Sequence, residues 1–324
     1  MKILVTGGAG FIGSHLTDRL LKDGHSVIAL DNFSTGSESN IAHQRSHPHF
    51  ELVIGSVRDS SLIHELVEKT DVIFHMAAAV GVKRILDEPS QSLHTNVNGT
   101  ENVLHAASLR GKRAIIASTS EVYGKSGRES FGEEDDLVLG STANLRWSYA
   151  IAKALDECIA LAYAQEGKLS SIIVRLFNTT GPRQTGFYGM VVPGFVQQAL
   201  EGKPITVYGS GEQSRCFGHV YDAVEAMVRL MDTPEAYGQI YNIGNDQEIT
   251  IRQLAERVKR LTGSSSTIEL RPYSEVYGPG FEDMMRRKPN VDKLERTVGF
   301  RPRRSLDEII NDLIAEKQQH SVAA

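Results

Sequence analysis

The chain has 324 residues, and its 35 Lys and Arg against 40 Asp and Glu leave a formal net charge of -5. That length allows one large α/β unit or two closely packed lobes, and the lack of any basic run excludes the phosphate-reading face that nucleic-acid proteins use. Two cysteines, Cys158 and Cys216, make no disulfide framework, and no Cys/His set has ligand spacing, so neither a staple nor a metal is expected.

In chain order, β-rich runs fall at Lys2 to Thr6, Ser26 to Asp31, Phe50 to Ile54, Asp71 to His75, Arg113 to Ser118 and Ser171 to Leu176. Between them, Phe11 to Lys22, Ser60 to Lys69, Leu93 to Leu109 and Tyr149 to Gln165 carry apolar residues at helical spacing. This alternation predicts an α/β fold, a doubly wound, Rossmann-like parallel sheet with helices on both faces. After Asn178, glycines and prolines from Gly181 to Gly194 interrupt the pattern and predict irregular segments and short helices. Val220 to Leu230 and Gln239 to Ile243 then read as a helix and a strand returning to the sheet, before Ile251 to Leu261 and the C-terminal region complete the second lobe. The expected division is 1–178 with 219–244 as a dinucleotide-binding domain, and 179–218 with 245–324 as a smaller C-terminal substrate-binding lobe. The tail Gln318 to Ala324, small and polar, is expected to fray. Met1 leads straight into Ile3 to Val5 with no charged-then-apolar leader, and no run of ~18 apolar residues follows, so a cytoplasmic location without a membrane partner is expected.

The first strand runs into Gly7, Gly10 and Gly13, spaced GxxGxxG, and then into a helix opened by Phe11 and Ile12. Glycine suits these positions because a side chain would block the tight turn and the approach of backbone N–H groups to a pyrophosphate. Asp31 closes the next strand about 20 residues on, where a carboxylate can accept from both ribose hydroxyls and would repel a 2′-phosphate, so NAD is expected over NADP. The alternative for Asp31 is a turn cap together with Asn32. Ser56 and Val57, after the third strand, stand where an adenine edge would sit, and Ala77, after the fourth, joins the expected cofactor contacts.

Tyr149 and Lys153 are four residues apart on one helix and share a face. A neighbouring ammonium would stabilise a phenolate, which makes Tyr149 a candidate general base. The segment Ser118, Thr119, Ser120, Glu121, Val122, Tyr123, Gly124 starts at a strand's C-terminal end, where open α/β sheets place ligands. Ser118 and Lys153 belong with the expected cofactor contacts, Thr119 or Ser120 can bond a sugar hydroxyl, and Glu121 offers a carboxylate for acid/base work or, alternatively, a solvated loop charge.

GxxGxxG, STSEVYG, YxxxK, FNTTGPRQ and VYGSGEQSRCFGHVYD together resemble the extended short-chain dehydrogenase/reductase family of nucleotide-sugar enzymes, and the resemblance covers nearly the whole chain. It implies that Asn178 touches substrate, that Tyr208 lies near the nucleobase and that Arg215 holds the diphosphate. It also implies a homodimer joined by a four-helix bundle built from Leu93 to Leu109 and Tyr149 to Gln165. The family's shared opening step oxidises the sugar C4 hydroxyl to a ketone, after which dehydration, decarboxylation or return of the hydride to the other face is open. Family 4-epimerases have a small residue where Glu121 stands, which favours the first two outcomes. The stretch Arg146 to Tyr149 (RWSY) and the stretch Tyr277 to Pro289 (YGPGFEDMMRRKP) resemble UDP-glucuronate decarboxylases and UDP-apiose/UDP-xylose synthases, which brings Arg146 and Arg287 into the substrate site. An arginine facing a sugar carboxylate is well paired, although a diphosphate clamp would suit Arg287 equally. The loop Ala77 to Arg84 (AAAVGVKR) departs from the decarboxylases and is closer to the 4-epimerases. UDP-glucuronate decarboxylation is therefore the first expectation, 4-epimerisation the second and 4,6-dehydration the third. A dinucleotide-binding redox sensor without turnover is the non-enzyme alternative.

Overall fold

In the computed structural model of the chain, residues 1–186, 190–277 and 282–322 are described. Strand β1 (Lys2–Thr6) is buried on both faces, as its unbroken apolar run requires, and so lies in the middle of a parallel sheet. With β2 (Ser26–Asp31), β3 (Phe50–Ile54), β4 (Val72–His75), β5 (Arg113–Thr119), β6 (Ser170–Leu176) and the returning strand Gln239–Ile243 it forms one sheet. From one edge the order is Gln239–Ile243, β6, β5, β4, β1, β2, β3, and every pairing is parallel. The chain builds outward from β1 in one direction, then in the other from β4, so the crevice between their C-terminal ends is the topological switch point. Register there pairs Thr6 with His75, which brings Gly7 alongside Met76 and Ala77.

Helix α1 (Phe11–Lys22) and the helix Val220–Met231 bury Leu16, Leu20, Val224 and Met227 against one face of the sheet. The other face is covered by α2 (Ser60–Glu68), then, beyond the short α3 (Val82–Asp87), by α4 (Pro89–Ser108) and α5 (Ser148–Gln165), through Ile63, Val103, Leu104 and Ala160. A separate cluster of Val196, Leu254, Val258, Ile309 and Leu313 holds the C-terminal region together.

The expected strands and helices are present with ends shifted by at most one residue, except that α4 starts at Pro89 rather than Leu93. Proline's fixed φ and missing N–H suit the first turn, so the polar residues ahead of the apolar stripe are helical too. After Asn178 the structure is more regular than expected, with helices at Val191–Leu200, Ile251–Thr262 and Leu306–Val322. Leu306, Ile309, Ile310 and Leu313 anchor the last helix, which continues to Val322, and residues 323 and 324 of the tail lie outside the described residues. Among the described residues no helix is long and apolar enough to cross a membrane, and no group of His, Cys, Asp or Glu is arranged to hold a metal.

Candidate active site

The glycine turn is closed by backbone bonds from Gly7 N to Leu30 O at 2.7 Å and from Gly10 N to Gly7 O at 3.0 Å. Gly7 has φ +70°, and a Cβ there would lie 2.9 Å from the Ala77 backbone; a Cβ on Gly13 would lie 2.1 Å from Gly7 O. Only glycine fits either position. Gly10 caps α1 without a side-chain hydrogen bond, which leaves the first N–H groups of the helix to an incoming anion.

Asp31 is buried at the end of β2. Its Oδ2 accepts from Ala9 N at 3.0 Å and its Oδ1 from Phe33 N at 2.8 Å, while Asn32 Oδ1 accepts from Ser34 N at 3.1 Å. Burial raises the carboxyl above its ordinary range and these amide bonds oppose the rise. The turn-capping alternative is therefore realised, yet a carboxylate accepts about four bonds and Asp31 still lines the cavity.

One cavity of about 630 Å³ extends from the glycine turn past Asp31, Asn32, Ser56, Val57 and Ala77 to Tyr149 and on to Asn178, Tyr208, Arg215 and Arg287. Phe11, Ile12, Ser118, Thr119, Ser120, Glu121 and Arg146 line it as well, so sheet topology gathers every expected site residue on its wall except Lys153. Lys153 lies behind that wall, almost completely buried, with Nζ donating to Asp156 Oδ2 at 2.9 Å.

This changes the electrostatics expected for Tyr149. The Lys153 contact is with a carboxylate, and the half-buried phenol stands well above its usual value because of burial, Glu121 and Asp156, against a hydrogen bond from Thr119 and the charge of Arg287. Ser118 donates to Glu157, which is held by Arg175 at 2.7 and 3.0 Å; Arg175 in turn donates to the Tyr123 hydroxyl at 2.8 Å. This buried network fixes the strand end that carries the site. Thr119 Oγ1 accepts from Glu121 N at 3.2 Å, and Ser120 Oγ is buried with no hydrogen-bond partner among the described residues.

Glu121 is bracketed by two arginines. Arg146 donates to Oε2, and Arg287 Nη1 donates to Oε1 at 3.1 Å. Burial alone would raise this carboxyl, but Arg146 and Arg287 overcome it and hold it at about 2. Glu121 is thus held as a carboxylate by both arginines, and its burial excludes the solvated-loop alternative. Arg287 is lowered to about 10 by burial and by Arg215 and Arg146, and its Nε is buried without a partner among the described residues. Arg215 donates to Asp283 Oδ2 at 2.9 Å, and the Tyr273 hydroxyl donates to the same oxygen at 2.9 Å. Gln213 Nε2 donates to Tyr273 and to Tyr208 O, at 3.0 and 2.9 Å. Asn178 has φ +34° and donates to Cys216 O at 2.9 Å. Of the stretch that carries Arg287, the Tyr277 side chain and residues 278 to 281 lie outside the described residues.

Sequence reasoning does not single out Asp156, Gln213 or Tyr273. Asp156 has a signal, its position three residues after Lys153 on one helix face. Gln213 and Tyr273 meet across 60 residues and have none.

A glycine cradle at a switch point, opening onto a Tyr/Lys helix and an arginine-rich corner, defines a dinucleotide-dependent enzyme for an anionic substrate. Residues 3–244 match the NAD dependent epimerase/dehydratase family, and the chain belongs to it; it is an NAD-dependent enzyme of nucleotide sugars. It is 44% identical to the UDP-N-acetyl-alpha-D-glucosaminuronate decarboxylase of Bacillus cytotoxicus, over 97% of this chain and 96% of that protein. It is 38% identical to UDP-glucuronic acid decarboxylase 1 of Xenopus tropicalis, over 97% of this chain and 71% of that one. Among solved structures, UDP-glucuronic acid 4-epimerase from Bacillus cereus, in complex with UDP-glucuronic acid and NAD, superposes with a TM-score of 0.89 at 26% identity, covering 99% of this chain and 100% of that chain. The dTDP-glucose 4,6-dehydratase DesIV of Streptomyces venezuelae does so with a TM-score of 0.89 at 30% identity, covering 100% and 98%.

Proposed function

We propose that the protein decarboxylates a UDP-hexuronate at C6 through a 4-keto intermediate. The observation that carries this reading is the corner where the guanidinium groups of Arg146, Arg215 and Arg287 meet the two carboxylates Glu121 and Asp283. The surplus positive charge lies in a buried wall, where it is costly unless an anion completes it. Arg287, with its unpartnered Nε, is the group that would meet the sugar carboxylate, while Arg215 and Tyr208 would hold the nucleotide.

The glycine turn, the open N-terminus of α1 and Asp31 fit NAD, which supplies the hydride acceptor when bound. Tyr149 takes the proton of the C4 hydroxyl as that carbon becomes a ketone. The C6 carboxylate is then β to a carbonyl, so the C5–C6 bond breaks, carbon dioxide leaves and the electron pair forms an enolate reaching O4. Once it has taken that proton, the Tyr149 phenol holds it tightly, because burial and the neighbouring carboxylates disfavour the phenolate, and donates to O4 as charge develops there. Glu121 moves no proton in this scheme and keeps Arg146 and Arg287 in place. Lys153 acts from behind the wall, and Thr119 with Ser120 bonds the sugar hydroxyls.

In the same reading 1–178 with 219–244 binds NAD and 179–218 with 245–324 binds the nucleotide sugar. The outer sides of α4 and α5, with Leu155 and Cys158 exposed and Ile159 half-buried, would pack in a four-helix bundle of a homodimer. The free thiols of Cys158 and Cys216 suit the cytoplasm. Trapping carbon dioxide from UDP-glucuronate and from UDP-N-acetylglucosaminuronate, each with NAD, tests the reading; release from at least one supports it, and none from either refutes it.

A further inference from the structure

Tyr149, Lys153 and Asp156 stand at successive positions on one face of α5, four and three residues apart. Lys153 and Asp156 are both buried and share the 2.9 Å contact already described, so each neutralises the other where an unpaired charge would be costly. Asp156 is itself fixed from outside the helix. Thr100 of α4 donates to the same Oδ2 at 2.9 Å, sharing its one hydroxyl hydrogen with Asn96 O at 2.7 Å. Thr100 also meets His75 Nε2 of β4 at 3.0 Å, and His75 Nδ1 meets Thr6 Oγ1 of β1 at 2.8 Å. Thr6 in turn accepts from Ala77 N at 3.3 Å. Burial holds His75 at about 3, so the ring is neutral and the bonds run in one direction, with Nδ1 accepting and Nε2 donating. A single chain of hydrogen bonds thus ties the switch point beside Gly7 to Lys153, four residues after Tyr149 on α5.

We propose that Asp156 is a positioning residue for the Tyr149/Lys153 pair, fixing the Lys153 ammonium against the sheet and setting, by its own charge, the field beneath the phenol. The inference rests on the reading of Tyr149 as the group that takes the C4 proton. Tyr149 is faced by Glu121 from the turn after β5, by Arg287 from the C-terminal stretch, by Thr119 of β5 and by Asp156 of its own helix, with Lys153 paired to Asp156 on that helix. His75 is neutral through the working range, and Glu157 is engaged with Arg175. Among these, Asp156 and Glu121 oppose the phenolate.

Asp156→Asn keeps an acceptor for Lys153 and Thr100 and removes the charge. In single-turnover NAD reduction with the UDP-uronate, its acid limb should move down by about half a pH unit or more. Asp156→Ala, which removes the acceptor as well, should lose about tenfold or more in kcat with KM within about twofold. An acid limb that stays or rises in the Asn variant overturns the field, and wild-type kcat in the Ala variant overturns the positioning. If the Ala variant fails to fold, the isosteric Asn variant still decides, since NAD binding by it establishes the fold. Tyr149→Phe is run beside them: NAD reduction by that variant removes the underlying reading, whereas loss there with an unaltered Asp156→Asn removes this inference alone.

Discussion

Arg287 Nη1 and Glu121 Oε1 meet at 3.1 Å across 166 residues of chain, joining the turn after β5 to the C-terminal stretch. The contact pairs the carboxylate that the sequence offers for acid/base work with an arginine, and it leaves Arg287 with one buried donor for a ligand. Arg287→Ala should therefore lower kcat/KM for a UDP-uronate by about 100-fold or more and weaken UDP binding by less than about threefold. Steady-state kinetics with calorimetry of UDP checks this, and equal losses would assign Arg287 to the diphosphate.

Tyr149→Phe should reduce NAD reduction by about 1,000-fold or more while NAD affinity changes by less than about threefold, because the hydroxyl is the only group removed. Absorbance of the reduced cofactor and fluorescence titration separate the two effects.

Gly13→Ala places a Cβ against the Gly7 carbonyl oxygen, at a spacing no packing tolerates. The turn must open, so NAD binding should weaken by about 30-fold or more and stability should fall by about 1–3 kcal/mol. Calorimetric titration and chemical denaturation measure both; an unaltered NAD affinity would take the glycine turn out of the cofactor site.

These cases show what can be read along the chain. Gly7, Gly10 and Gly13 are local, Tyr149 and Lys153 follow from helical spacing, and the seven strands follow from runs of apolar residues. The partner of Lys153 was within reach of the same spacing, but a buried Asp156 is also an ordinary helix residue until α4 and β4 are packed against it. Arg287 is reached only through the resemblance of its stretch, and its pairing with Glu121 depends on tertiary path. The same holds for Arg215 with Asp283, 68 residues apart.

Acid should destabilise the fold well above the range where Glu121 titrates. Burial lowers His15 to about 4 and His75 to about 3, against 6.5 in the unfolded chain, so between those values the unfolded state binds more protons. Their contribution is complete above 6.5 and is lost as pH falls toward those lower values, on the order of 1 kcal/mol per pH unit for each histidine. Glu121, depressed from 4.5 to about 2, stabilises above 4.5 and loses that contribution only below it. Denaturation midpoints should accordingly fall between about pH 6 and about pH 5, and midpoints constant across that interval would contradict the neutral, buried state of the two rings.

The central claim is the loss of C6, and proton NMR of the NAD-supplemented protein observes it most directly, with UDP-glucuronate, UDP-N-acetylglucosaminuronate and UDP-glucose in separate tubes. The account predicts that signals of at least one uronate give way to those of a pentose or 4-keto pentose, while UDP-glucose stays unchanged. Inert uronates with UDP-galactose growing from UDP-glucose would contradict it and make the enzyme a 4-epimerase.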